Sequence, residues 1–247
     1  RQEYERLAAL LSGTADFSGF PRADLVIEAV FEELSVKRAV VADLEATVGD
    51  KAIIATNTST IPITDIGAGA HHPERVLGMH FFSPVDRMPL LEVIPGAATS
   101  PDAIATAVQF GRRMGKTVIV VADRPGFWVN RILSPYLNEA GHLLTEGTPI
   151  EAIDRTMTRF GFPVGPIALL DEVGLDVAAK GGGVMHQAFG ERLAPADAIG
   201  RMLADKRLGR KSGRGFYRYQ DGKKAGVDAE VYRLLGISPW DRVSPRT

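Results

Sequence analysis

Residues 23–30 read ADLVIEAV, a short apolar run with no helical face. A run of this length without polar alternation is what a strand covered on both faces looks like. Going forward, Val36, Val40, Leu44 and Val48 recur every four residues as one stripe of a helix, and Gly49 stands where that helix ends. Residues 51–56 (KAIIAT) predict a second buried strand, 75–82 (RVLGMHFF) a third and 90–94 (LLEVI) a fourth. Ser100-Pro101 is an N-cap and first-turn pair for a helix that stops near Gly115, and 116–122 (KTVIVVA) is a further strand. Alternating strands and helices of this length predict a mostly parallel α/β sheet. Going backward, residues 1–11 (RQEYERLAALL) read as the amphipathic end of a helix with no strand before it. The expectation is a fragment whose N-terminal part is missing.

After Asp123-Arg124-Pro125-Gly126 the texture changes, and from Phe127 to Asp205 helical periodicity dominates. We therefore expect a domain boundary near residues 123–127. Thr148-Pro149-Ile150-Glu151 has the form of a capping box, with Ile153, Met157 and Phe160 continuing one apolar face. Gly181-Gly182-Gly183 is expected to interrupt or kink a helix, at about 1 kcal/mol per glycine relative to alanine.

Composition narrows the function classes. Of the 247 residues, 45% are hydrophobic and 24% charged, which excludes wholesale disorder. Lys and Arg total 29 against 30 Asp and Glu, so the chain has no field for gripping nucleic acid or an anionic membrane. No run approaches the roughly 18 apolar residues of a membrane span. Cysteine is absent, which excludes disulfides, thiolate metal sites and a cysteine nucleophile. A cytoplasmic setting is expected, and no metal.

His71 and His72 precede Pro73 in a surface turn, and His142 and His186 sit in helical stretches. His80 differs, because it ends an apolar strand, where ligands of open α/β sheets bind. Positions 80 and 92 are equidistant from Asp86, so if the flanking strands pair around that turn, His80 and Glu92 face each other. A carboxylate beside an imidazole fixes its tautomer and supports a proton-accepting histidine. The spacing admits two readings, a structural ion pair or a catalytic one. Asn57-Thr58-Ser59-Thr60 follows a buried strand directly and suits either helix capping or hydrogen bonds to a ligand. Asn130 lies where the chain leaves the sheet, Glu28 and Glu32 flank the first strand's end as solvated carboxylates, and Arg210 and Lys211 offer cations to solvent or phosphate.

Several of these segments together resemble the L-3-hydroxyacyl-CoA dehydrogenase family. The resemblance is carried by DLVIEAVFEELSVK (24–37), ATNTSTIPI (55–63), GMHFFSPVDRMPLLEVI (78–94), DRPGFWVNRIL (123–133), FGFPVGPIALLDEVGLD (160–176) and GRKSGRGFY (209–217). It looks most like the dehydrogenase region of multifunctional fatty acid oxidation enzymes. The resemblance implies a partial NAD-binding Rossmann-like domain over 1–124 whose first strands lie before Arg1, an all-α domain over 125–220 that pairs two copies or assembles in a fatty acid oxidation complex, a linker or tail over 221–247, and oxidation of an acyl-CoA substrate. It implies His80 as catalytic base, Glu92 as its orienting carboxylate, and Ser59 and Asn130 as substrate contacts. It places Ala29, Glu32, Lys37, Asn57, Ser59 and Lys211 at or beside NAD. Two departures stand out. The G-x-G-x-x-G turn is absent, so weak NAD binding by residues 1–247 alone is expected, and Ser83 stands where many relatives have Asn. A non-catalytic remnant and a 3-hydroxybutyryl-CoA dehydrogenase are the competing readings.

Overall fold

The computed structural model describes residues 2–240, and the chain divides into two units between Trp128 and Val129. The first unit opens with helix α1 (Gln2–Ala8), which buries none of its residues. It continues through β1 (Leu25–Glu28), α2 (Leu34–Glu45), β2 (Ile53–Thr56), α3 (Ile63–Gly67), β3 (Val76–Phe81), β4 (Leu90–Pro95), α4 (Pro101–Arg113) and β5 (Thr117–Val120). The five strands form one sheet in chain order. β1, β2 and β3 are parallel, β4 returns antiparallel to β3, and β5 runs parallel to β4. The carboxyl ends of β1–β3 therefore share one end of the sheet with the amino ends of β4 and β5.

Side-chain alternation sorts the core into two faces. Ile53, Ala55, Leu77, Met79, Leu91 and Val93 pack with Ala103 and Ala107 of α4. Val26, Ile54, Val76 and Ile94 pack on the other face with Val41 and Leu44 of α2, Ile63 and Ile66 of α3, and Phe127. Gly78 shares that second face, and a Cβ there would lie 2.7 Å from Ile63 Cδ1 and 3.0 Å from Ile94 Cβ. The missing side chain is what lets α3 sit this close to the sheet.

The helix expected after the first strand is present, but its inner stripe is displaced. α2 buries Lys37, Val41 and Leu44, while Val36 and Val40 are only half-buried, and Val48 lies in the turn beyond the helix. The shift occurs because Lys37 finds a carboxylate partner inside and so takes a core position. Ser100 caps α4 as expected, accepting from the Ala103 N–H at 3.2 Å.

The second unit is helical: α5 (Val129–Thr145), α6 (Ile150–Phe160), α7 (Pro166–Val173), α8 (Leu175–Phe189) and α9 (Asp197–Ala204). To these it adds an antiparallel hairpin, β6 (Tyr217–Gln220) and β7 (Lys223–Val227), and helix α10 (Glu230–Leu235). Residues 221–235 were expected as a connecting tail. Instead Val231 and Leu235 are buried in the same core as Leu144, Ile150 and Phe216. Residues 241–247 of that expected tail lie outside the described residues.

Three local expectations also need correction. α8 runs without interruption through Gly181–Gly183, whose surroundings leave open space where a Cβ would stand. No side-chain cap closes the start of α6, because the Tyr232 hydroxyl accepts the Ile150 N–H at 2.9 Å and takes that role. Phe160 is 80% exposed rather than part of the inner face.

Two buried carboxylates tie the unit together. Asp154 accepts the Ile167 and Ala168 N–H groups at the start of α7 and the Tyr217 hydroxyl at 2.6 Å. Asp171 accepts the Phe216 and Tyr217 N–H groups at 3.0 and 2.8 Å. Gly215 admits it, since a Cβ there would fall 1.9 Å from Asp171 Oδ1. Burial pushes the Asp171 carboxyl up to about 6.

Candidate active site

The site is built at the end of the sheet where β1, β2 and β3 finish. His80 and Glu92 are direct partners in the antiparallel β3–β4 register. The His80 Nδ1–Glu92 Oε2 distance is 2.7 Å, with His80 4% exposed and Glu92 not exposed at all. The sheet explains the burial: Glu92 lies on β4, flanked by β3 and by Ile119 of β5.

The other carboxylate oxygen, Oε1, accepts the Trp128 N–H at 3.0 Å. That donor is delivered by a turn in the left-handed region, with φ 74° at Gly126 and 46° at Phe127. A bulky residue there is a true outlier, of the sort that is retained where surrounding structure over-determines it. The turn also buries Phe127, whose ring centroid is 5.8 Å from that of His80, and Phe82 covers the imidazole at 4.5 Å. Because Nδ1 faces Glu92, Nε2 is the nitrogen that can meet a ligand.

A second polar group lies beyond β1 and β2. The Glu32 Oε1 atom accepts the Thr58 hydroxyl at 2.7 Å, the Ser59 N–H at 2.9 Å, the Thr60 N–H at 3.2 Å and the Thr60 hydroxyl at 3.1 Å. Burial pushes the Glu32 carboxyl up, but the Thr58 hydroxyl, the Ser59 N–H, the Lys37 charge and the Thr60 hydroxyl outweigh it and hold the group below its ordinary range. Lys37 Nζ lies 3.4 Å from Glu32 Oε2 and 3.0 Å from Glu28 Oε1. Asn57 Oδ1 accepts the Phe81 N–H at 2.9 Å and so ties this loop to the residue after His80.

Of the residues singled out in sequence, His80 and Glu92 are brought together, Glu32, Lys37 and Ser59 form one connected cluster, and Asn57 bonds the Phe81 N–H. Ala29 is exposed just past β1. Asn130 lies half-buried in the first turn of α5, and Lys211 is exposed and paired with Asp176 at 2.5 Å; both belong to the second unit. Ser83 is exposed. His71 and His72 lie in an exposed turn, as expected, with their N–H groups on Glu45. Glu28 overturns its expectation as a solvated carboxylate, since it is 4% exposed and bonded to Lys37. Thr58 and Thr60, read in sequence as capping or ligand-binding hydroxyls, bond Glu32 instead. The Trp128 N–H was missed. For Trp128 the only clue was that a buried carboxylate needs more than one donor.

The donor set fits part of a dinucleotide. Hydroxyls, an amide and a carboxylate at the carboxyl ends of parallel strands suit ribose hydroxyls and a carboxamide. No G-x-G-x-x-G occurs in the sequence, so this chain offers no glycine turn for the diphosphate. Among the described residues there is no cluster able to hold a metal ion and no helix long and apolar enough to cross a membrane.

Residues 1–124 match the family model described as 3-hydroxyacyl-CoA dehydrogenase, NAD binding domain, and residues 126–219 match 3-hydroxyacyl-CoA dehydrogenase, C-terminal domain. Among solved structures, the chain is 38% identical to FadB2 of M. tuberculosis, with a TM-score of 0.86 over 89% of this chain and 79% of that one. It is likewise 38% identical to the (S)-3-hydroxybutyryl-CoA dehydrogenase of Ralstonia eutropha, with a TM-score of 0.84 over 89% and 79%. The dehydrogenase part of multifunctional enzyme 1 from C. elegans is 30% identical, with a TM-score of 0.66 over 99% of this chain and 56% of that one.

Proposed function

Since the chain belongs to the NAD-binding 3-hydroxyacyl-CoA dehydrogenase family, we propose that it oxidises an L-3-hydroxyacyl-CoA to the 3-oxoacyl-CoA with His80 as general base. The observation that carries this reading is the buried His80–Glu92 pair at the carboxyl end of β3. Nε2 of His80 takes the proton of the C3 hydroxyl and holds it. Glu92 keeps Nδ1 protonated, which fixes the tautomer, and stabilises the imidazolium that forms. A positioned base of this kind contributes typically ~10²–10⁴-fold. Ser59 and Asn130 orient the hydroxyl and thioester oxygens of the substrate. Ala29, Glu32, Lys37, Asn57, Ser59 and Lys211 line or support the NAD end of the site. NAD, when bound, supplies a hydride acceptor for C3.

The family reading gives an acyl-CoA substrate and a role in fatty acid β-oxidation in the cytoplasm. It also gives a pairing of two copies through the helical unit, or a place in a fatty acid oxidation complex. A second reading, preference for the four-carbon substrate, is favoured by the greater identity to the Ralstonia eutropha enzyme than to the multifunctional one. The test is to incubate the full protein with NAD and the L or D isomer of 3-hydroxyacyl-CoA esters of increasing length. NADH is expected from the L isomers, and the fall-off with length decides between the two readings. No NADH from any of them overturns the proposal and leaves a structural module.

A further inference from the structure

Glu28 is buried against Lys37 and, unlike Lys37, has no role in the chemistry above. Glu28 is the last residue of β1, and its carboxylate takes Lys37 Nζ at 3.0 and 3.2 Å and the Val30 N–H at 3.0 Å. Lys37 is 1% exposed and also reaches the Val30 carbonyl at 3.5 Å and Glu32 Oε2 at 3.4 Å. If the pair served stability alone, two apolar side chains of similar volume would serve as well or better. What apolar residues would not do is hold Glu32. Lys37 takes one oxygen of Glu32 while the other collects the Thr58 hydroxyl and the Ser59 and Thr60 N–H groups.

We propose that Glu28 is a positioning residue of the active site, setting the Ser59 backbone through Lys37 and Glu32. Glu28 and Glu32 share one ammonium, and Glu28 lies nearer to it. Glu28 anchors that ammonium, so without the charge of Glu28, or without the ammonium itself, Oε2 of Glu32 loses its fixed partner 3.4 Å away and the hydrogen bonds on Oε1 loosen. Ser59 and Thr60 lose their fixed acceptor, and the Ser59 hydroxyl loses its aim. The consequence for turnover rests on the dehydrogenase reading of Ser59; the structural linkage does not.

The test is amide hydrogen exchange at Ser59 and Thr60 in the full protein without ligand, for wild type, Glu28→Gln and the double variant Glu28→Gln/Lys37→Met. The double variant removes both charges together and so leaves no unpaired buried ion should the single variant fold poorly. Exchange at both amides is expected to rise at least tenfold in each folded variant, and Glu28→Asp is expected to restore part of the protection. In a kinetic cycle, Ser59→Ala and Glu28→Gln are each expected to lower kcat/KM about tenfold, the pair together little more than either alone. Unchanged exchange in the double variant, or additive losses in the cycle, overturns the proposal. An inactive wild type overturns the dehydrogenase reading instead, while the exchange result still decides whether Glu28 reaches Ser59.

Discussion

His80 and Glu92 sit opposite one another across the antiparallel β3–β4 pair, with Nδ1 and Oε2 2.7 Å apart and the Trp128 N–H on the other carboxylate oxygen at 3.0 Å. Glu92 is thus held by the backbone on one side and holds the imidazole on the other. A carboxylate gripped in this way orients its histidine rather than touching substrate.

Glu92→Gln keeps the size of the side chain but leaves only one carbonyl oxygen for two donors and removes the negative charge. We expect kcat to fall by about 10²–10⁴, with KM for the acyl-CoA changed by less than a few fold. Steady-state kinetics with a 3-hydroxyacyl-CoA checks this; a kcat within threefold of wild type makes Glu92 scaffolding only.

Lys37→Ala leaves two carboxylates facing each other, with Glu28 almost fully buried. Breaking a buried pair from one side costs about 3–5 kcal/mol. Denaturant unfolding should show a loss of that size, and a loss below 1 kcal/mol would mean that water reaches Glu28.

Gly78→Ala is expected to destabilise by about 1–3 kcal/mol through overpacking, because Ile63 and Ile94 already fill the space a Cβ would need. Gly78 lies on the same strand face as His80, so activity should fall with stability. Wild-type stability in this variant would show that α3 can move outward freely.

Asp171 makes the helical unit sensitive to pH. Its folded carboxyl stands at about 6 against an ordinary value of 3.8, so between those values the folded chain binds more protons than the unfolded one. Its contribution therefore weakens stability as pH rises from about 4 to about 6 and returns on acidification. Urea midpoints for wild type and Asp171→Asn should diverge across that window, wild type losing on the order of 2–3 kcal/mol relative to the variant towards neutral pH. Parallel curves would show that the carboxyl is not raised. Asp228 behaves oppositely: burial pushes it up, but Arg218, Arg207 and Arg214 override this and hold it far below its ordinary range, so its contribution is lost only below about pH 4.

The relation of His80 to Glu92 was legible because antiparallel pairing around a turn maps equal distances from Asp86 onto facing positions. The strands were legible from their apolar runs, and Ser100 from its capping chemistry. Glu28 was not, because a carboxylate nine residues before a lysine looks solvated until α2 folds back on β1 and buries both. The start of α6 misled for a related reason: its local capping signal was displaced by Tyr232, 82 residues away from Ile150. The hairpin escaped notice because half its side chains face solvent and its strands are only 4 and 5 residues long. Phe160 continued a helical stripe that the tertiary structure leaves facing outward.

The central claim, proton removal by His80, is tested most directly by pre-steady-state and steady-state NADH formation from L-3-hydroxybutyryl-CoA in wild type and His80→Ala. The variant should fold, less stably than wild type because Glu92 stays buried without its imidazole, while kcat falls by about 10²–10⁴. A correctly folded His80→Ala protein that turns over at the wild-type rate would contradict it.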